Sequence, residues 1–266
     1  MAEFDSTQLQ KSLGDLSKWE KDMSQVEKEL EIDRIKQTQP LYEKRRNIIK
    51  TIPKFWYIIF AENDDLSDYI NPEDLKYLEC IDDIFINYPN LEDKENFRDF
   101  EITINFNNSE LNENQQVIKK FYYRKNENGE EIMVSDPVEI TWPKELESIN
   151  PIKIKERNTG KTMSKDDKKN YRQGMKSFFA YFQWTGEKHG KEFRNGEELT
   201  NLIVDDLYLN ALKYYAIALS NENDDDDEEE DSSEGEELDL SDNDDEIDKK
   251  RKLDDIDDDT SSKKAK

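Results

Sequence analysis

The chain has 266 residues, of which 65 are Asp or Glu and 39 are Lys or Arg, giving a net charge of −26 and a mean hydropathy of −1.10. That sign disfavours direct binding of the body to DNA, RNA or anionic membrane, and it steers basic partners inward at a rate that salt suppresses. A single cysteine, Cys80, excludes an intrachain disulfide framework and a Cys-based zinc site; no apolar run reaches about 18 residues, so neither secretory signal nor membrane span is expected and the protein reads as intracellular.

The first element predicted is a long helix over residues 1–52. Leu9, Leu13, Leu16, Trp19, Met23, Val26 and Leu30 recur at steps of three and four, close to the coiled-coil period, on an otherwise charged surface. Running from about Ser6 to Thr51, such a helix is roughly 70 Å long at ~1.5 Å per residue, longer than its own body can cover. Seven buried side chains at about 1.5 to 3 kcal/mol each give on the order of 10 to 20 kcal/mol of gross burial before association entropy is subtracted. A homodimer is the simplest way to cover the stripe; the alternative is a stripe folded back on its own domain. Pro40 removes a backbone donor inside the pattern and predicts a kink or short break there.

Residues 53–220 read as an α+β domain. The apolar segment from Phe55 to Phe60 predicts a short buried helix, and Asn71-Pro72 a helix start leading from Leu75 to Cys80. Phe100, Ile102, Ile104 and Phe106 alternate with polar residues, which predicts a half-buried strand. After a polar turn from Asn107 to Asn114, Val117 to Lys125 gives a second strand. Asn128-Gly129 marks a tight turn into a third at Glu131 to Ser135, and Val138, Ile140 and Trp142 share another face. The expectation is an antiparallel meander of three or four strands with acidic side chains on its solvated face. Residues 150–170 read as a basic mobile loop. Two helices then close the body, from Tyr171 to Trp184 and from about Asn195 through Tyr215.

Residues 221–266 hold 23 acidic and 7 basic residues, net −16, leaving the body at −10. From Asn221 to Asp248 the acidic run, including Asp224, Asp225, Asp226, Asp227, Glu228, Glu229 and Glu230, has too few apolar groups to offset backbone ordering and is expected not to fold. Two basic clusters follow, Lys249-Lys250-Arg251-Lys252 and Lys263-Lys264-Ala265-Lys266, spaced as a two-part nuclear import signal read by an import receptor. An acidic polymer addressed to the nucleus implies a cationic nuclear partner, of which histones are the most abundant; the alternative is a solubilising appendage. Ser233 and Ser241, each with an acidic residue three positions on, are candidates for phosphorylation, which would add charge.

Catalytic chemistry has little to draw on. His189, the only histidine, lies in a Gly-flanked turn, so no compact Ser-His or Cys-His pair is available, and no phosphate-cradling glycine loop occurs. Acidic pairs such as Asp64-Asp65 and Asp205-Asp206 lack the spacing of a calcium loop, so solvated faces are the default and no metal or cofactor is expected.

Four blocks carry a family resemblance: residues 40–56, running Pro40-Leu-Tyr-Glu-Lys-Arg-Arg to Phe55-Trp56; Arg98 to Phe106; Ser177-Phe-Phe-Ala-Tyr-Phe182; and Asp205-Asp-Leu-Tyr-Leu-Asn-Ala-Leu-Lys-Tyr-Tyr215 followed by the acidic run. In this order they resemble the nucleosome assembly protein family of histone chaperones, its SET-like subgroup in particular. Tyr171 to Phe179 and Gln183-Trp-Thr-Gly186 look closest to a fungal member that partners a histone acetyltransferase. The resemblance implies a homodimer with paired long helices and two earmuff-like bodies whose acidic undersides receive core histones, the central-tetramer pair favoured. It points to Asp205 and Asp206 as the histone-contacting patch, extended by Glu197 and Glu198; a helix-start role is the structural alternative for all four. A nuclear coiled-coil adaptor that docks an acetyltransferase, with only weak histone contact, is the competing function.

Overall fold

The computed structural model describes residues 6–107 and 114–228, with side chains to residue 221. The polar turn after Asn107, the residues from Glu229 onward, and with them both basic clusters, Ser233 and Ser241, lie outside it.

Helix α1 (Ser6–Ile49) runs about 66 Å at ~1.5 Å per residue. It passes through Pro40 without the expected break. The carbonyl that loses its donor is that of Lys36, and both Lys36 and Pro40 lie on the exposed side, where water can take its place. Buried residues on either side, Ile32 and Ile35 before and Ile49 after, hold the flanking turns to the body.

Helices α2 (Phe55–Glu62) and α3 (Pro72–Leu78) follow, and α3 begins at Pro72 behind Asn71 as the dipeptide predicts. The sheet is a four-stranded antiparallel meander in the order β1 (Ile81–Asn87), β2 (Phe100–Phe106), β3 (Gln115–Lys125), β4 (Glu131–Ser135). The first strand was not anticipated, and residues 138–142 are not a strand. In β1 the burial does not alternate: Ile84, Phe85 and Ile86 are all covered, because the sheet packs on both sides there.

One face carries Ile84, Ile102, Ile104, Val117, Phe121 and Met133 against α2 and the aromatic helix α6 (Phe178–Tyr181); Phe121 stacks on Tyr181, and Phe106 meets Phe179 and Phe182. The other face at β1 is covered by α1. Arg46 Nε donates to both carboxylate oxygens of buried Asp83, at 2.9 and 2.8 Å, and its guanidinium lies 4.5 Å from the Phe85 ring centroid. Gln39 Nε2 donates to the Ile86 carbonyl at 3.0 Å, occupying an acceptor on the sheet's edge strand. Farther out, the solvated face is mixed rather than acidic: Glu101 pairs with Lys120 and Glu131 with Arg98.

Residues 150–170 are not a loop. Asn150 caps α4 (Pro151–Arg157) by accepting from the amides of Ile152 and Lys153, and Ser164 caps α5 (Lys165–Gly174) by accepting from Asp167 N at 3.0 Å. The helix expected from Tyr171 to Trp184 divides in two. A Cβ at Gly174 would sit 1.8 Å from the Ile149 carbonyl oxygen, and Ser177 opens α6 while donating to buried Asp74 at 2.8 Å. The last helical stretch is α7 (Gly196–Asn201), one π-helical turn (Leu202–Leu207) and α8 (Ala211–Glu228). Helix α8 therefore continues into the acidic run that was expected to be unfolded from Asn221. Extending an existing helix adds a hydrogen bond per residue without a new nucleus, which offsets part of the charge repulsion.

Candidate functional site

Asp205 and Asp206 sit in the π-helical turn, which is stabilised from below by Ile203, Val204 and Leu207, all buried. The turn is anchored to α1 by an aromatic clasp: the Arg45 guanidinium lies 4.6 Å from the Tyr42 ring centroid and 4.4 Å from that of Tyr208, and Tyr208 in turn stacks on buried Trp56. Successive side chains on a helix point in different directions, so the two neighbouring carboxylates meet different partners.

Asp205 is exposed at the meeting of α1, the end of β1 and β3. Partial burial pushes its carboxyl above the ordinary value, while Arg34 and Arg98 pull it back. Its charge also reaches Tyr88 and Tyr123, whose phenols are pushed up by burial first. Asp206 turns the other way, along α8. It accepts from Asn210 Nδ2 and from the Tyr214 hydroxyl, both at 2.7 Å, and this bond is the main cause of a raised Tyr214 phenol.

Beyond Tyr214 lies a further acidic group, which includes the Asp64-Asp65 pair. Asp64, Asp65 and Asp68 are exposed in a 3-10 turn after α2, capped by Asn63, which accepts from Leu66 N at 3.0 Å. Asp65 contributes to the Tyr214 shift, and Asn221 Nδ2 donates to Glu62 at 2.8 Å. So Glu62, Asp65 and Asp206 border one edge of α8, which leads on through Asp224 to Glu228. No local signal could have joined them, since Glu62 and Asn221 are 159 positions apart. Glu197 and Glu198 are exposed in the first turn of α7, favourably placed at the positive end of the helix.

The α1 stripe is uncovered in the protomer. Leu9, Leu13, Leu16, Trp19, Met23, Val26 and Leu30 are between 43% and 64% exposed. Among the described residues, the first ion pairs from α1 to the body are those of Lys28 and Glu29 with Glu95 and Lys94. Single exposed apolar residues are ordinary; these seven lie in register on one helix as a continuous apolar stripe.

Cys80 is buried, His189 is exposed, and among the described residues no group of His, Cys, Asp or Glu is arranged to hold a metal ion. No described helix is long and apolar enough to cross a membrane.

The family profile described as nucleosome assembly protein matches residues 49–250. The chain belongs to the nucleosome assembly protein family, which comprises histone chaperones and not enzymes. Among its relatives, vacuolar protein sorting-associated protein 75 of Saccharomyces cerevisiae is 40% identical over 207 residues, 76% of each chain. A crystal structure described as the Vps75 histone chaperone superposes with a TM-score of 0.70 at 37% identity, covering 79% of this chain and 99% of that one. The crystal structure of Ccp1 superposes with a TM-score of 0.58 at 30% identity, over 79% of this chain and 97% of that one. These likenesses agree with the α+β class and the long leading helix read from the sequence.

Proposed function

We propose that this chain is a nuclear histone chaperone that works as a homodimer. It binds core histones, the pair of the nucleosome's central tetramer favoured, and presents or deposits them in cooperation with a histone acetyltransferase. The observation that carries the reading is the acidic edge of α8, where Glu62, Asp65 and Asp206 border a helix that leads into the run from Asp224 to Glu228. DNA holds histones through Lys and Arg neutralising phosphates, and a carboxylate surface competes for the same cations. Relatives support the histone part, since one is described as a histone chaperone. Asp205, Glu197 and Glu198 extend the contact surface, and Glu229 and Glu230 continue the acidic run in sequence. The stripe from Leu9 to Leu30 pairs with that of a second copy. The basic clusters at Lys249–Lys252 and Lys263–Lys266 engage an import receptor.

The test is titration of core histones against the full chain and against a version ending at Ser220, at about 0.3 M salt, where weak surface attraction is screened, with mass in solution recorded. Tight binding kept by a truncated dimer supports the body as the chaperone surface. Binding lost with residues 221–266 demotes the body to a scaffold and favours the adaptor.

A further inference from the structure

On a body of net charge −10, one face runs against the prevailing sign. A cavity of about 120 Å3 lies where α4, α5, α6 and the turn after Trp184 meet, with Trp142, Met175, Ala180 and Phe193 among its lining. Lys155, Lys188 and Lys191 line it as well, all three exposed. Its one carboxylate, Glu192, is already engaged, accepting from Thr185 N at 2.7 Å, Thr185 Oγ1 at 2.8 Å and Lys188 N at 2.8 Å.

The cavity does not end there. Met175 and Phe193 also line a second, more open depression with Lys176 and Arg194, and Lys176 and Asn71 continue into a third with Lys169 and Arg172. The three depressions share walls and lie side by side as a groove, and the well at one end combines apolar side chains with lysines. Only Asp68 and Glu73 add negative charge to its open part. None of the groove's seven cations is in a salt bridge among the described residues, although acids outnumber bases in this chain. Lys153 and Arg157 on neighbouring turns are paired, with Glu147 and Asp167.

We infer that this groove is a docking site for an extended acidic segment of a partner protein, with one bulky apolar side chain seated in the well. Charge complementarity selects an acidic segment, and Trp142, Met175, Ala180 and Phe193 select one that carries an apolar side chain. The groove meets the acidic turn after α2 only at Asp68 and takes its cations from α4, α5 and the turn after Trp184, so the inference does not depend on histone binding.

The probe is a fluorescein-labelled synthetic peptide of alternating Asp and Glu with one central Phe, titrated into the full chain by fluorescence anisotropy. Controls are the same peptide with Ala at the centre and a DNA duplex of equal charge. Seating one aromatic side chain in the well is expected to make the Phe peptide bind about tenfold tighter than the Ala peptide. Lys188→Glu with Lys191→Glu, both at exposed positions, is expected to abolish that preference. Arg172→Glu with Lys176→Glu, at the far end, is expected to weaken both peptides without changing their ratio. Equal binding of the Phe and Ala peptides overturns the inference, as does displacement of the Phe peptide by the duplex at equal charge. A fall in the free protein's mass in solution on Arg172→Glu with Lys176→Glu would assign the groove to a second copy and overturn it as well.

Discussion

At the scale of single residues, Asp83 and Lys119 are two of the buried charges that hold the body together. Asp83 is 1% exposed and depends on Arg46, with Lys50 at 3.5 Å and Asn105 Nδ2 at 3.0 Å as lesser partners. Arg46→Met leaves that carboxylate short of its main donor, and a loss of about 3 kcal/mol is expected in denaturant unfolding, since the lesser partners remain. Lys119 lies on the sheet's inner face and donates to the carbonyls of Asp136, Phe182 and Trp184 at 2.9, 3.2 and 2.8 Å. Burial pulls its ammonium down to about 7, against the opposing pull of Asp136 and Glu192. Below that value both folded and unfolded chains hold the proton; above it only the unfolded chain does, so stability rises with pH. A rise of up to about 1.4 kcal/mol per pH unit is expected between about pH 7 and 9, and its loss in Lys119→Met is read from melting curves. Asp206→Asn should cost about 1 kcal/mol by weakening the bonds to Asn210 and Tyr214, whereas Asp205→Asn should leave stability unchanged. If both weaken histone binding, the contribution of Asp206 must be corrected for its part in holding α8.

At the scale of elements, α1 divides into a half that the body uses and a half that it does not. Ile32 and Ile35 meet Phe97, and Ile49 joins the main core, but the turns from Leu9 to Leu30 expose their apolar side chains. Leu16→Glu with Trp19→Glu should therefore leave the folded body intact while halving the mass in solution. Unchanged mass would assign the stripe to some other contact. The elements that were legible are those with a local period or cap: the α1 stripe, the alternation of β2, and Asn71-Pro72 ahead of α3. Strand β1 was not, because burial on both faces erased its alternation. Helices α4 and α5 were hidden by their charge, even though Asn150-Pro151 repeats the signal of Asn71-Pro72. The split between α5 and α6 has a steric cause, the approach of Gly174 to the Ile149 carbonyl, which no local pattern records.

At the scale of the whole molecule, charge of opposite sign gathers in neighbouring regions. The acidic edge of α8 and the cationic groove beside α5 approach one another at Asp68, in the turn after α2. Salt should act on both. Raising it from about 0.1 to 0.3 M shortens the screening length from about 10 Å to roughly half that. Histone affinity should fall with a shallower slope in the version ending at Ser220 than in the full chain, measured by titration across that range. Equal slopes would mean that residues 221–266 contribute no ion pairs to the complex.

The order of residues alone determined the long amphipathic helix, the alternating strands, the acidic character and the family, because each is carried by neighbours in sequence or by ordered blocks. Tertiary structure decided which carboxylates keep company. It turned Asp205 toward Arg34 and Arg98 and brought Glu62 beside Asn221, because the packing of α1 and α8 on the body acts across separations that no local period spans.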